Sequence, residues 1–320
     1  MTYPIDASTG SYDTNSGLSG TYIPEIWAGK LLVKFYAATV FASIANTDYE
    51  GSIQNHGDKV LIRTVPDLTI NDYEIGQSLN YERPRSANVE LLIDQGKYYA
   101  FNCNDVEKKQ SDVDFVNKWA EDASEQLKIA IDTDILAGVY SSADPGNNVG
   151  TTAGVISESV DLGTTGTNAD AAITLTETII IDKMVECGQV LDEQNIPNSN
   201  RWFVITAWMA TRIKVSSLAD ASYAGDGTSM MRNGRIGVID NFELFVSNNV
   251  YNVAEGTGNL TYSIFGHKSA ITFASQLTNN EMIDNPDDFG QLMRGLQVYG
   301  YKVVKPEALG VLVCDAGALT

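Results

Sequence analysis

Apolar and polar positions change their period along this 320-residue chain, and each change marks an element. From Asn104 to about Val139 the period is helical: Val106, Val113, Ala120 and Leu127 recur every seven residues, beside a second row of Val116, Ala123, Ala130 and Ala137. Asn104, with Glu107 three residues on, can satisfy first-turn amides, and Gly138 and the Gly146 region supply stops. Asp105 with Lys109 and Asp114 with Lys118 are acid-first i, i+4 pairs off the seam. At about 1.5 Å per residue this run predicts a rod of about 50 Å, as long as a compact chain of this size is wide. A flat, extended subunit braced by one helix is the expectation. Lys109 and Asp134 interrupt the rows, which argues against a coiled coil.

Elsewhere the period is two, or absent. Residues 1–22 are rich in Ser, Thr, Gly, Tyr and Asn and predict an arm without a core of its own. From Pro24, the apolar set Ile26, Trp27, Leu31, Leu32, Phe35, Val40, Phe41 and Ile44 predicts a helix packed under another element. Val60, Ile62 and Thr64 alternate on one strand and Val89, Leu91 and Ile93 on a second, with Tyr99, Phe101 and Cys103 extending that face. The polar stretch Gly76–Ser86 between them carries Tyr81, Glu82, Arg83 and Arg85 around Pro84 and reads as the tip of a long hairpin. Such a hairpin needs a partner.

Residues 141–172 read as a surface loop or small β insertion. A helix from Thr176 with Ile179, Ile180, Met184 and Leu191 ends near Pro197, and the strand Trp202–Thr206 and a helix at Trp208–Ser216 follow. Arg235–Asp240 and Phe242–Ser247 predict two strands joined at Asp240-Asn241, and 261–275 and 297–304 add more. No repeat at a fixed period is present.

Composition narrows the function. A hydrophobic content of 43% supports a real core, while 21 basic against 41 acidic residues give a net charge of -20 that opposes wrapping nucleic acid. Cys103, Cys187 and Cys314 are widely spaced and odd in number, as expected of small buried hydrophobes in a reducing compartment. Met1–Asp6 has no basic leader pattern and no apolar run approaches a membrane span, so synthesis in the cytosol is expected.

Chemistry is sparse. His56 and His267 lack nearby ligand spacing, and His56-Gly57-Asp58 is a weak imitation of an acid-base or metal site. Gly225–Ser229 lacks the lysine of a phosphate loop, and Glu281, Asp284, Asp287 and Asp288 match no calcium loop and read as a solvated acidic face. No catalytic residue, cofactor or metal is indicated, and no enzyme activity is expected.

The order of elements, polar arm, long hairpin, long helix, then an α/β unit with returning strands, resembles the major capsid protein of tailed bacteriophages, the Hong Kong 97 fold. The resemblance is carried by Val89–Asn102 running into Asp105–Lys108, by Arg232–Asn249, by Phe265–Ala274 and by Gly295–Leu309, and it covers about residues 24 to 312. It implies an α+β chain with an N-terminal arm and helix (1–47), an extended β-hairpin loop (48–103), a spine helix of a peripheral domain (104–140), a surface insertion (141–172), a central α/β axial domain (173–260) and returning strands (261–320). It further implies a virion protein that assembles with itself as pentamers and hexamers into an icosahedral shell around double-stranded DNA, with a scaffolding protein, a portal and a decoration protein as partners. From the residues themselves, Arg83 and Arg85, with Tyr81 and Glu82, are the candidate intersubunit contacts, because arginine pairs bidentately with carboxylates. An encapsulin-like compartment shell or a secreted surface-layer protein are the alternatives.

Overall fold

The computed structural model describes residues 37, 39–48, 59–66, 68–86, 88–110, 115–147, 150–164, 172–216, 237–255, 258–286 and 288–316. Most of the expected helix from Pro24, together with His56, Gly225–Ser229 and the start of the Arg232–Asn249 stretch, lies outside these residues; of that helix's described part, only Phe41–Ile44 is helical.

The central layer is a seven-stranded mixed sheet. Its path is β4 (Ile173–Leu175), β12 (Leu309–Ala316), β9 (Gly258–His267), β5 (Arg201–Ile205), β7 (Phe242–Val246) and β6 (Val238–Ile239), with β8 (Asn252–Glu255) pairing off the path onto β9. The run Arg201-Trp-Phe-Val-Ile205 is buried at every position, as expected of a strand covered on both faces. Alternation divides it: Trp202 and Val204 join one core with Tyr262, Ile264, Val311 and Val313, and Phe203 and Ile205 join the other with Phe242, Phe265 and Leu312. Helices α4 (Ile180–Glu193) and α5 (Ala207–Val215) cover the second face. The first is covered by α1 (Phe41–Ile44) and the C-terminal half of α3 (Phe115–Val139). Asp240 and Asn241, with φ of 46° and 64°, form the expected turn between β6 and β7.

Arg201, at the start of β5, is fully buried. It donates to the Asp192 carboxylate and the Ile196 carbonyl, both at 2.6 Å, and to the Pro197 carbonyl at 3.0 Å. It thereby ties the chain leaving α4 to the start of β5.

A second, three-stranded sheet has the order β10 (Ile271–Asp284), β11 (Gly290–Val303), β3 (Gln95–Asn104), all antiparallel. Sequence alternation shows only the ends of β10 and β11, because 276–296 is mostly polar. The helical run after β3 consists of α2 (Asp105–Gln110) and α3, with 111–114 outside the described residues. Asn104 caps α2 through a 2.8 Å bond from the Val106 amide and holds Asp288 at 3.0 Å.

The buried stripe of the helix is only partly the predicted one: Val116 and Leu127 face inward as expected, but the rest of the stripe lies elsewhere. Val116, Ile131, Ile135, Leu136 and Val139 are buried, whereas Val106 is 55% exposed and Ala130 is exposed. A straight helix drifts about 20° per heptad from a seven-residue row, so the true stripe advances mainly in steps of four. Gly138 does not stop the helix, which continues to Val139 and a 3-10 turn at Tyr140–Ser142. It is instead the place where the Tyr301 ring meets the helix, occupying the space a Cβ would fill. Asp134, which breaks the heptad row, clamps the helix to the sheet by accepting from the Tyr299 hydroxyl at 2.7 Å.

Residues 144–147 and 150–163 are docked on the central sheet. The Val311 amide donates to the Asn147 carbonyl and the Val313 amide to Leu162, so this segment completes the edge of β12 ahead of β4. Its turn, closed by the Ala153–Val160 bridge, is held by Glu193 of α4, which accepts the amides of Ile156 at 2.8 Å and Ser157 at 3.0 Å.

Candidate functional site

Strands β1 (Lys59–Arg63) and β2 (Asn88–Leu92) pair antiparallel with Val60 opposite Leu91 and Ile62 opposite Val89, as the alternation predicts. Ile62 and Leu91 bury themselves against Ala274, with Val60, Val89, Ile93 and Val304 around them. This small cluster seats the hairpin on the three-stranded sheet. Its backbone comes so close to β11 that a Cβ on Gly300 would overlap the Leu92 carbonyl.

Beyond that base, the described residues between Thr64 and Ser86 form no strand, so the ladder is shorter than a long hairpin implies. The two limbs nevertheless stay in register through side chains. The Ser86 hydroxyl donates to the Thr64 carbonyl at 2.5 Å, the Thr69 amide to Glu82 at 3.3 Å, and the Gln77 amide closes a turn on the Glu74 carbonyl at 3.1 Å. The tip is therefore at Glu74–Gln77, where Gly76 has φ +92°. Arg83 and Arg85 stand on the returning limb, between tip and base, instead of at the tip. Glu82 is turned inward to Thr69, while Tyr81 is 87% exposed. Neither arginine forms an ion pair among the described residues.

Every residue from 68 to 86 is exposed, including Leu68, Ile70, Tyr73, Ile75, Leu79 and Tyr81. Ile75 at 98% and Ile70 at 91% touch almost nothing of their own chain. A run of large apolar side chains in water is unfavourable by about 1.5 to 3 kcal/mol each relative to burial, and marks a contact surface. Sequence reasoning picked the polar stretch with arginines and missed the apolar residues on the outgoing limb, although Leu68 and Ile70 alternate as a strand would. It also missed Gly300, for which an isolated glycine within a strand pattern was the available signal.

The described residues offer no reactive alternative. No group of three metal-ligating side chains occurs among them. All three cysteines are buried, and burial pushes the thiols of Cys187 and Cys314 well up, away from thiolate. His267 is the last residue of β9, its Nδ1 facing the Ser269 hydroxyl at 2.8 Å, and burial, then Lys305 and Arg201, lower its pKa. Glu281 is paired with Arg294 at 2.5 Å. Among the described residues, no helix is long and apolar enough to cross a membrane.

No family model and no curated protein matches the sequence. Solved structures do. A structure from Mycobacterium phage Che8 superposes with a TM-score of 0.74 at 27% identity, over 91% of this chain and 97% of that one. The capsid of the cyanophage P-SCSP1u gives 0.73 at 16% identity over 96% and 98%. The chain has a phage capsid fold. The mature capsid of bacteriophage PhiM1, at a TM-score of 0.66 and 12% identity, spans 98% of this chain and 97% of that one. The capsid fold thus accounts for nearly the whole length, including the projecting hairpin, the long helix and both sheets. Among the described residues, 68–86 are the longest run in which every residue is exposed.

Proposed function

We propose that the chain is the major capsid protein of a tailed phage, a structural virion protein whose copies associate as pentamers and hexamers into an icosahedral shell around double-stranded DNA. The observation that carries this reading is the superposition on capsid chains over nearly their full lengths, joined to a projecting hairpin whose residues 68–86, large apolar ones among them, are all exposed. A shell subunit needs many modest contacts with copies of itself and no enclosed reactive pocket. The hairpin and the long helix meet that need as clasp and brace. A scaffolding protein, a portal and a decoration protein belong to the same reading, with the shell assembling in the host cytoplasm.

The test is to express the chain alone and with a scaffold, and to weigh the products by light scattering with negative-stain microscopy. Megadalton closed particles, tubes or aberrant shells are expected. A strictly monomeric or dimeric product under both conditions would overturn the proposal. Packaged DNA, as opposed to enclosed protein cargo, in particles from infected cells separates a phage head from a compartment shell.

A further inference from the structure

The turn at 153–160 is firmly held, yet it presents apolar side chains to water. Glu193 of α4 accepts the amides of Ile156 and Ser157, Gln189 donates to the Ser157 hydroxyl at 3.3 Å and to Glu193 at 2.9 Å, and the Ala153–Val160 bridge closes the turn. The backbone bends through Gly154 at φ +99° and through Glu158 at φ 46°, a left-handed conformation unfavourable for a residue with a Cβ. What this framework holds out is Ile156, 77% exposed, with Val155 at 52% beside it.

The neighbouring helix continues the surface. Asp182, Val185, Gln189 and Asp192 form an exposed stripe of α4, and Val185, one turn before Gln189 and so about 6 Å from it, is 48% exposed. Val185 and the pair Val155 and Ile156 therefore flank the Gln189–Ser157 contact on one surface. The rim of that surface is acidic. Residues 141–200 hold nine acids against Lys183 alone, and Lys183 is engaged by Glu186 at 2.6 Å. The side chains of Glu158 and Asp182, both exposed, have no partner among the described residues.

We propose that this surface docks a basic amphipathic helix of a second protein, an inference that goes beyond the shell reading and does not depend on it. The apolar face of the helix covers Val155, Ile156 and Val185, while lysines or arginines along its edges meet Glu158 and Asp182. An isoleucine fixed in place before binding suits the centre of such a contact, because little remains to be ordered when the partner arrives. The same face of another copy is the poorer occupant, since a two-fold contact sets Glu158 and Asp182 against their own kind.

The test uses the full-length chain and two synthetic peptides of leucine and lysine, each of about 18 residues or five helical turns. One carries its leucines on a single helical face, and the other has the same composition in scrambled order. Fluorescence anisotropy at low salt should show the amphipathic peptide binding about tenfold or more tighter than the scrambled one, and the binding should weaken as salt is added. Ile156→Ser with Val185→Ser should weaken it about tenfold with circular dichroism unchanged, and Glu158→Lys with Asp182→Lys by a similar factor. Equal affinity for the two peptides, or equal affinity of wild type and the serine variant, would overturn the proposal. Loss of particles when the serine variant is expressed alone would also overturn it, because that result assigns the face to contacts between copies. Normal particles together with lost peptide binding are the expected outcome. A wild-type chain that forms no particles removes the shell reading and leaves the peptide measurement to decide this one.

Discussion

Asp132 and Asn249, 117 positions apart in the chain, meet inside the protein at 2.7 Å. The Asp132 side chain lies on α3 and is fully buried, and its other oxygen accepts the backbone amides of Val40 and Phe41, each at 2.9 Å. One carboxylate thus joins the segment that enters α1, the long helix and the loop after β7. No pattern in the sequence distinguishes Asp132 from the solvated acids around it.

Removing that junction leaves three buried donors without an acceptor. Asp132→Ala should lower stability by about 3 to 5 kcal/mol, and Asp132→Asn, which keeps an amide oxygen for Val40 and Phe41, by roughly half as much. Urea unfolding of the subunit measures the difference. Hydrogen exchange at Val40 and Phe41 should accelerate more in the alanine variant than elsewhere in the core.

Arg201 is the second buried polar anchor. Arg201→Met fills similar space but strands the carbonyls of Ile196 and Pro197 and leaves Asp192 unpaired, at a cost of about 3 kcal/mol. Thermal unfolding should move down by several degrees, and Arg201→Lys should recover only part of it, because an ammonium cannot span the same set of acceptors.

The seat of the hairpin depends on Gly300. Gly300→Ala drives a methyl group into the Leu92 carbonyl, so either β2 lifts from β11 or the sheet shifts. Stability should fall by about 1 to 3 kcal/mol. Particle yield should fall further than that loss accounts for, because the hairpin then leaves the sheet at a different angle. Equal losses in a matched core variant, such as Ile264→Val, would refute the geometric part of this argument.

Glu193 gives the turn at 153–160 a dependence on pH. A hydrogen bond from Gln189, and then the amides of Ser157 and Ile156, hold its carboxyl down at about 2 against an ordinary 4.5. A depressed folded pKa means that the stabilisation is fully present above about 4.5 and is lost as pH falls toward 2. The carboxyl is partly exposed, so its worth is about 1 kcal/mol. Pepsin cleavage within 153–160 should rise between pH 4.5 and 2 in the wild type, and should already be high at the upper end of that range in Glu193→Gln.

Parts of this architecture are plain in the residues. Val60, Ile62, Val89 and Leu91 announce their pairing because one face is buried and period two survives, and Trp202–Ile205 announces a central strand because both faces are. The long helix is visible in its length and in the absence of proline, yet its buried stripe is legible only in part, through Val116 and Leu127, since mainly its C-terminal half packs on the core and small residues such as Ala130 face water equally well. The polar middle of β10 and β11 carries no periodic signal, because both faces of that part of the sheet meet solvent, with Tyr98 on one at 77% and Met282 on the other at 50% exposure. At the candidate site, Arg83 and Arg85 were found by charge. Their place on the returning limb was hidden, because it follows from the turn at Gly76 and the bond between Thr69 and Glu82.

The exposed stretch 68–86 also bears on the life of a subunit before it meets its neighbours. Newly made chains carry Ile70, Ile75, Leu79 and Tyr81 uncovered, and at the high concentrations of a productive infection such segments stick to one another without regard to register. Pro66 and Pro84 flank the apolar stretch, with Arg83 and Arg85 beside the second, at places where they interrupt sheet growth and keep like charges apart. These gatekeepers buy the free subunit time, and lengthen the interval in which correct capture outruns precipitation.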